Sequence, residues 1–353
     1  MSLVQRVLNP EPIASLEEYV EHLGGGRGLN AAREIGPERV IATVEAAGLR
    51  GRGGAGFPTG TKWRTVWENR SAAIPSAVVV NGAEGEPGTF KDRTILRNNP
   101  YHVLEGALIA AMAVGADHVI VGLKRSFERE AGRVQAAMDE LAAAGWADDV
   151  KLELFLGPDE YLYGEETALL ETLDGRPPFP RIAPPFRRGV DEVVESADDV
   201  ATGSGLSAHV ETAGASATQD APPALVDNVE TLANVPQILD RGPEWFRTTG
   251  TDASPGTLVC TITGQVARPG VGEVDMGTTL REAVELIGGG AIGDHRIVAL
   301  VPGVSNAFIP AALLDTPMTY EDMAAAGSGL GSAGFIVLDD TTDPVAAAAG
   351  VIR

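Results

Sequence analysis

Short apolar runs and longer amphipathic segments alternate through the first half of the chain. The apolar runs at 76–82, 118–124 and 152–156 are rich in β-branched and aliphatic residues, which predicts buried strands. Between them, 100–116 and 125–145 have the length of helices, and the first of these opens with a proline. Strands separated by helices of this size predict parallel pairing with helical crossovers, and therefore an α/β fold.

The middle of the chain has a different pattern. The segment 177–186 is rich in proline, and 191–221 is dominated by small and polar residues, which predicts a flexible excursion with little packing potential. Order resumes at 225–239, where the pattern predicts a helix whose N-cap is Asp227 or Asn228.

The last third of the chain predicts a second sheet with one helix. Alternating apolar positions predict a hairpin over 257–274 and strands at 297–303 and 334–340. The segment 278–289 predicts a helix with Thr278 as its cap. Two strands, one helix and further strands, in that order, predict a small β-grasp domain of the α+β class.

Length and composition support a folded protein of two domains. The chain has 353 residues, 44% of them hydrophobic and 22% charged, which is enough to build a core. We place the α/β domain at 1–250 and the β-grasp domain at 251–340. The net charge of −22 repels nucleic acid and anionic membranes, so we predict neither as a partner.

Two further features concern compartment and cysteine chemistry. No stretch has the length of uncharged apolar sequence that a bilayer requires, and the N-terminus lacks a signal-peptide core, so we predict a cytoplasmic protein without direct membrane insertion. The single cysteine, Cys260, excludes an intrachain disulfide and a multi-cysteine metal site, and its apolar surroundings predict a buried thiol.

A glycine-rich stretch at 48–63, GLRGRGGAGFPTGTKW, is the first candidate for binding chemistry. Gly51, Gly53 and Gly56 match the spacing G-x-G-x-x-G, but a dinucleotide fingerprint also needs a preceding strand and an acidic residue about twenty positions later. A helical pattern precedes this stretch, and Ser76 stands where the acidic residue belongs. The ordinary Rossmann NAD fingerprint is therefore excluded.

The same stretch combines backbone amides with positive charge. Glycine amides can approach an anion closely, and Arg50, Arg52 and Lys62 can neutralise phosphate. With Phe57 and Trp63 nearby, a phosphate-bearing aromatic cofactor fits better than the alternative, a flexible surface loop.

Two further segments, at 81–93 and 161–175, carry candidate binding residues. At 81–93, directly after a predicted strand, Asn81, Glu84 and Glu86 could bind a flavin edge or ribose hydroxyls, although a polar turn explains the pattern equally well. At 161–175, Glu165 and Glu166 follow Gly164 at a helix start; helix stabilisation is the simpler interpretation. Adjacent helical residues face different ways, so we expect the two carboxylates to do different jobs.

The proline-rich loop is the last candidate. Phe179 and Phe186 lie there beside three arginines (Arg181, Arg187, Arg188), so the loop could stack a base and hold its phosphates, or its aromatic rings could simply pack. No nucleophile–base set stands out. The histidines are scattered and show no metal-ligand spacing: His22, His102, His118, His209 and His295. We therefore predict no catalytic side chain and no metal ligand.

Taken together, these motifs resemble one family closely. GLRGRGGAGFPTGTKW, NGAEGEPGTFKDR, YLYGEETALLETLDG and DNVETLANVP match signatures of the NADH-oxidising FMN flavoprotein subunit of respiratory complex I (F-type), and of related flavin subunits of NAD-linked formate dehydrogenases and hydrogenases. The resemblance covers nearly the whole chain. It implies a Rossmann-like FMN- and NADH-binding domain followed by a ubiquitin-like β-grasp domain of the SLBB type.

The resemblance also implies roles for individual residues. The implied FMN contacts are Gly51, Arg52, Gly53, Lys62, Asn81, Glu84, Gly164, Asn228 and Thr231. The implied NADH contacts are Phe57, Glu86, Glu166 and Phe186, with Phe186 stacking on adenine. The implied reaction is hydride transfer from NADH to FMN, which needs alignment and exclusion of water but no protein acid or base.

The sequence departs from the family pattern at several positions. Ala83 stands where the family usually has Asp, Tyr163 where Cys is common, Thr65 where a second aromatic is expected, and Ala183 where Lys is frequent. The resemblance implies a 4Fe–4S cluster in a following helical bundle, of which 341–353 would be only the beginning; its cysteine ligands are absent here. Either this sequence is a truncated form of a longer chain, or it is a short relative that passes its electrons to an iron–sulfur partner subunit of a larger complex, and the sequence leaves both cases open. The alternative is a non-catalytic scaffold or sensor that binds FMN or a nucleotide.

Overall fold

The computed structural model describes residues 2–71, 76–190 and 222–351. In the first part of the chain the elements are α1 (Leu16–Leu23), α2 (Arg27–Ile35), α3 (Pro37–Ala47), α4 (Thr59–Asn69), β1 (Ser76–Asn81), α5 (Lys91–Asn98), α6 (Pro100–Val114), β2 (Ala116–Lys124), α7 (Glu128–Ala143), β3 (Lys151–Gly157), α8 (Glu166–Leu173), β4 (Ala224–Asn228), α9 (Val229–Arg241) and α10 (Pro243–Phe246). The second part contains β5 (Thr257–Gly264), β6 (Gly270–Asp275), α11 (Leu280–Gly288), β7 (Ile297–Val301), β8 (Ile309–Pro310), α12 (Tyr320–Ala325), β9 (Gly334–Asp339) and α13 (Pro344–Val351).

The first sheet has four parallel strands in the order β3-β2-β1-β4, which confirms the predicted α/β fold. Successive residues of β1 enter different cores: Val78 and Val80 pack into the larger cluster with α6 and α9, and Val79 packs on the opposite face with Phe155. Burial on both faces explains why β1 reads as a continuous apolar run and not as an alternation.

Strand β4 corrects the sequence prediction, which assigned 225–239 to one helix. Residues Ala224–Asn228 form a strand paired with β1, and the helix begins only at Val229. Five residues give too short a pattern to be separated from the helix that follows; pairing with a distant strand decides their conformation. Asn228 caps this helix, its Oδ1 accepting the Glu230 N–H at 3.0 Å, as one of the two predicted caps.

The second sheet has five strands in the order β6-β5-β9-β7-β8 and confirms the β-grasp prediction. β5 and β6 form the predicted antiparallel hairpin, β5 pairs in parallel with β9, and α11 packs on the sheet. The predicted cap of α11 is wrong by one residue: Thr279, not Thr278, forms a capping box with Glu282.

The domain limits 1–250 and 251–340, and the separate segment 341–353, stay predictions. The predicted excursion at 191–221, including His209, lies outside the described residues. In the described part of the chain, no helix combines the length and the apolar character needed to cross a membrane.

A buried carboxylate in the second sheet holds the start of the chain. Oε2 of Glu273, on β6, accepts the backbone N–H groups of Arg6, Val7 and Leu8 at 2.8–2.9 Å, and Val4 pairs with the backbone of the same residue. Glu273 itself is 1% exposed. The N-terminal segment, which the sequence assigned to the α/β domain, is thereby attached to the β-grasp sheet.

We predict that Glu273→Gln lowers the free energy of unfolding by roughly 2–4 kcal/mol, because a charged acceptor of three amides is replaced by a neutral group that cannot accept them all. Denaturant unfolding of the folded chain measures the change. Glu285→Gln, which removes the same charge from an exposed position of α11, is the control. Equal stability of the two variants would contradict this role for Glu273.

Candidate functional site

The carboxyl ends of β1 and β4 form the base of the candidate site. Asn81 and Asn228 end these strands and stand opposite one another in the parallel register. The Asn81 side chain donates from Nδ2 to the Gly164 carbonyl at 2.9 Å and accepts the Ala83 N–H at 3.2 Å. The strand ends and the region before α8 are therefore joined directly, at the edge where open α/β sheets bind ligands.

The glycine-rich stretch covers this edge as a closed loop. The Gly51 N–H donates to the Phe57 carbonyl at 2.8 Å, and the Arg52 N–H donates to Thr231 Oγ1 at 2.8 Å. The amides of residues 53–56 have no hydrogen-bond partner among the described residues. A run of free amides beside a cavity is suited to binding an anion.

Two adjoining cavities of about 340 and 320 Å³ lie between this loop, the strand ends and the start of α8. They share Gly53, Asn81, Gly164, Glu165 and Asn228. Together they bring to one place all the predicted site residues except Arg52 and Phe186: Gly51, Gly53, Phe57, Lys62, Asn81, Glu84, Glu86, Gly164, Glu166, Asn228 and Thr231.

Arg52 lies apart from the other predicted FMN contacts, and its predicted contact with FMN stays a prediction. Its side chain is fully buried and turned away from the cavities, donating to the Pro255 carbonyl at 3.0 Å, with Nε 4.0 Å from a carboxylate oxygen of Glu230. The guanidinium group, which was predicted to face a phosphate, instead connects the loop to the second half of the chain through its hydrogen bond to Pro255. A glycine-rich pattern alone does not determine which way an adjacent side chain turns.

Phe186 also lies outside both cavities and is partly buried against the larger core. This position agrees with the packing alternative, and the stacking of the ring on adenine stays a prediction. Phe57 is different: it lines the cavity and 54% of its surface is exposed, so its ring face is available to a ligand. Trp63, named with Phe57 in the sequence, is fully buried in the core.

Among the described residues, Lys62 is the cation that lines the cavities. Its Nζ lies 2.7 Å from Glu166 Oε1 and 3.9 Å from Asp227 Oδ1, and the side chain is one quarter exposed. The neighbouring Glu165 instead caps α8, accepting the N–H groups of Thr167 and Ala168. The two adjacent carboxylates thus do different jobs, as predicted, although Glu165 precedes the helix as its N-cap and only Glu166 lies in the first turn.

Asp227, which sequence reasoning considered only as a helix cap, is part of the site. It is buried, and its Oδ2 accepts Nε1–H of Trp63 at 2.7 Å. Burial raises the pKa of Asp227 to about 6, against the opposing effects of the Lys62 ammonium and the Trp63 N–H. A group beside Lys62 therefore changes its charge near neutral pH.

The two predicted carboxylates after β1 have separate surroundings. Glu84 is buried, accepting the Asp92 N–H at 3.1 Å and Arg93 Nε–H at 2.9 Å; burial raises its pKa. Glu86 accepts the Tyr161 hydroxyl at 2.7 Å and the backbone N–H of Val304. Glu86 therefore contacts the second half of the chain.

Residues of the β-grasp part complete the cavity wall, and sequence reasoning missed them. Ser305, Asn306, Gly331 and Ser332 line the same cavity as Glu84 and Glu86. These positions carry no motif and are more than 200 residues from the strand end that they face. No signal in the sequence could have identified them.

Known protein families match both parts of the chain. Residues 44–237 match the family model described as the Nuo51 FMN-binding domain, and residues 259–305 match the SLBB domain. The chain is 38% identical over 352 residues to the NADH-quinone oxidoreductase F subunit 2 of Rhizobium meliloti (strain 1021), covering 97% of this chain and 77% of that protein. It is 37% identical over 337 residues to the corresponding F subunit of Streptomyces coelicolor, covering 93% of this chain and 68% of that protein.

A solved structure agrees with these relatives. The crystal structure of an NAD⁺-reducing [NiFe]-hydrogenase in the H₂-reduced state superposes with a TM-score of 0.76 and 32% sequence identity. The match covers 98% of this chain and 53% of the hydrogenase chain, so this chain spans about half the length of that one. Family models, relatives and structure agree, and the chain belongs to the family of NADH-quinone oxidoreductase F subunits that carries the Nuo51 FMN-binding domain.

Proposed function

We propose that this chain binds FMN in the cavity at the carboxyl edge of the first sheet and oxidises NADH there. The observation that carries the proposal is the convergence of the free loop amides, Lys62, Asn81 and Asn228 around one cavity. Family membership supports it, since the matched domain is described as FMN-binding and the relatives are named NADH-quinone oxidoreductase subunits. No observation favours a non-catalytic scaffold or sensor.

The residues present fit a phosphate-bearing planar cofactor. The free amides at 53–56 and the Lys62 ammonium would hold the phosphate, since backbone N–H groups and a lysine are typical phosphate ligands. Position 164, which lines both cavities, requires glycine because a Cβ there would lie 2.8 Å from the Ala83 carbonyl oxygen. Asn81, Asn228, Glu84 and Thr231 would contribute polar contacts along the strand ends. When bound, FMN supplies the acceptor for the hydride of NADH.

NADH would enter at the exposed rim of the cavity. The open face of Phe57 offers a stacking surface for the nicotinamide nucleotide, and the carboxylates of Glu86 and Glu166 can accept hydrogen bonds from ribose hydroxyls. Hydride transfer requires the nicotinamide ring to be aligned with the flavin ring and water to be excluded from between them. The role of these residues is therefore to orient NADH and exclude water. Arg52 and Phe186 are left out of the proposed contacts because their side chains lie elsewhere.

The route of the electrons after the flavin is also a proposal. Cys260, the one cysteine of this sequence, is buried in the second core, and burial raises its pKa. A single inert thiol cannot ligate a cubane cluster. We propose that the next electron carrier lies in an iron–sulfur partner subunit of a larger complex, since the relatives are named as subunits of NADH-quinone oxidoreductases, and we keep the cytoplasm as the expected location.

The direct test is to load the purified chain with FMN and add NADH without oxygen. We expect the visible absorbance of the flavin to bleach, because hydride transfer reduces it. Oxidation by a soluble acceptor should restore the absorbance. A bound flavin that stays oxidised in excess NADH would refute the proposed activity while leaving FMN binding intact.

Lys62 tests the proposed phosphate contact. We expect Lys62→Met to weaken FMN binding about tenfold or more, the effect of losing one charge-assisted hydrogen bond. Fluorescence titration of the apoprotein measures the affinity, and riboflavin, which lacks the phosphate, should bind both proteins alike. Arg64→Met is the matched control, since Arg64 lies on the same helix but pairs with Glu45 and lines neither cavity. Equal losses in the two variants would argue against the contact.

Asp227 should make FMN binding depend on pH. With a pKa near 6, Asp227 is neutral at pH 5 and anionic at pH 8, where its charge offsets that of Lys62. The Asn side chain of Asp227→Asn stays neutral at both pH values. Because titration of the FMN phosphate affects both proteins, we compare the dissociation constant of the wild type with that of the variant at each pH. We expect wild type and variant to bind FMN alike at pH 5, and wild type to bind about three- to tenfold more weakly at pH 8. A ratio that is constant with pH would contradict this role.

A further inference from the structure

A buried lysine lies directly behind the cavity wall, and the proposed function gives it no task. The Lys91 side chain is 0% exposed, with Nζ 2.8 Å from Asp92 Oδ1 and 2.9 Å from Glu230 Oε2. Burial alone would lower the pKa of Lys91, but the two carboxylates outweigh burial and raise it, so the ammonium stays charged. Burying an ammonium group costs desolvation free energy, which is offset only where its ion-pair partners have good geometry.

The lysine is one of three groups that fix the orientation of an amide facing the cavity; the others are the Glu230 N–H, which donates to Asn228 Oδ1 at 3.0 Å, and the Asp92 carboxylate. Asn228 Oδ1 accepts a hydrogen bond from Lys91 Nζ at 3.3 Å, and Asn228 Nδ2 donates to Asp92 Oδ2 at 2.7 Å. Flipping the amide would set its NH₂ group against the ammonium and its oxygen against the carboxylate. The flipped state is therefore strongly disfavoured, and one Nδ2 hydrogen remains for a ligand in the cavities that Asn228 lines.

The same cluster joins the wall to the second sheet. Glu230, which pairs with Lys91 through Oε2, accepts the Val259 N–H of β5 at 2.9 Å through Oε1. The backbone N–H of Phe90, the residue before Lys91, donates to Thr261 Oγ1 on the same strand at 3.0 Å. Lys91 thus lies where the strand end, α9 and the β-grasp sheet meet.

We propose that Lys91 is a positioning residue of the FMN site, which holds the Asn228 amide and the Asp92 carboxylate in one arrangement at the cavity wall. The proposal rests on the proposed function, because the ligand it serves is FMN. A purely structural lysine would affect only the stability of the chain. A positioning lysine also changes the affinity and the orientation of the bound flavin.

The test uses the full chain as apoprotein, titrated with FMN, together with visible circular dichroism of the bound flavin and the thermal midpoint of unfolding. Lys91→Met removes the ammonium and leaves two buried carboxylates facing each other. The double variant Lys91→Met/Asp92→Asn restores charge balance, and its new amide can still accept from Asn228 Nδ2. The control is Glu105→Gln, a buried carboxylate that binds the Tyr19 hydroxyl and lines neither cavity.

We expect both Lys91 variants to bind FMN about tenfold or more weakly and to change the flavin's visible circular dichroism, since Asn228 loses a charge-assisted hydrogen bond. The double variant should recover thermal stability without recovering affinity. Glu105→Gln should lower the thermal midpoint and leave both flavin signals unchanged.

Three results would overturn the proposal. The first is wild-type affinity and circular dichroism in the folded double variant. The second is an equal loss of affinity in Glu105→Gln. The third is failure of both Lys91 variants to fold, which would assign the residue to folding alone. If the wild-type chain itself binds no FMN, the proposed function fails; if it binds and the variants do not differ from it, only the role of Lys91 fails.

Discussion

The parallel pairing of β1 with β4 is the constraint on which the site depends. The two strands are separated by residues 82–223, yet their register sets Asn81 beside Asn228. The glycine-rich loop is attached to the same pair, because Arg52 N–H donates to Thr231 at the start of α9 and Lys62 donates to the carbonyl of Val226 in β4. Segments that are far apart in sequence converge because each contacts β4 or the helix that follows it.

Buried charge then links this edge to the second sheet. The buried Glu230 carboxylate forms ion pairs with Lys91 and Arg52. Arg52 also donates a hydrogen bond to the Pro255 carbonyl, just before β5. Each of these ions loses its hydration on folding, and removing one partner of such a pair costs about 3–5 kcal/mol because the other stays buried. The β-grasp sheet is consequently held against the cavity in one position, and its loops become part of the wall.

The sequence predicted what depends on local pattern and missed what depends on distant pairing. β1 is apolar along its whole length, so its strand was evident, whereas β4 merges with the helix signal that follows it. Most candidate site residues line the two cavities, because the motifs that named them lie at the strand ends, at the start of α8 and in the glycine-rich loop. The direction of Arg52 was not predictable, since an arginine beside a glycine loop satisfies the same pattern whether it faces a ligand or a buried carboxylate. The contact of Glu86 with Val304 joins loops 218 residues apart, which no local rule can connect.

The glycines of the loop meet two separate requirements. Gly56 has φ +63°, and a Cβ there would lie 2.4 Å from the Tyr320 ring, so packing against the second part of the chain demands glycine. Gly51 and Gly53 are different: their backbones are not left-handed, and a Cβ would lie 3.5 and 3.3 Å from its nearest neighbour. A Cβ at Gly51 would make an ordinary van der Waals contact, whereas a Cβ at Gly53 would press against Asn228, which would have to shift. Both residues line the cavity, so under the proposed function the absence of side chains there lets FMN approach the backbone closely.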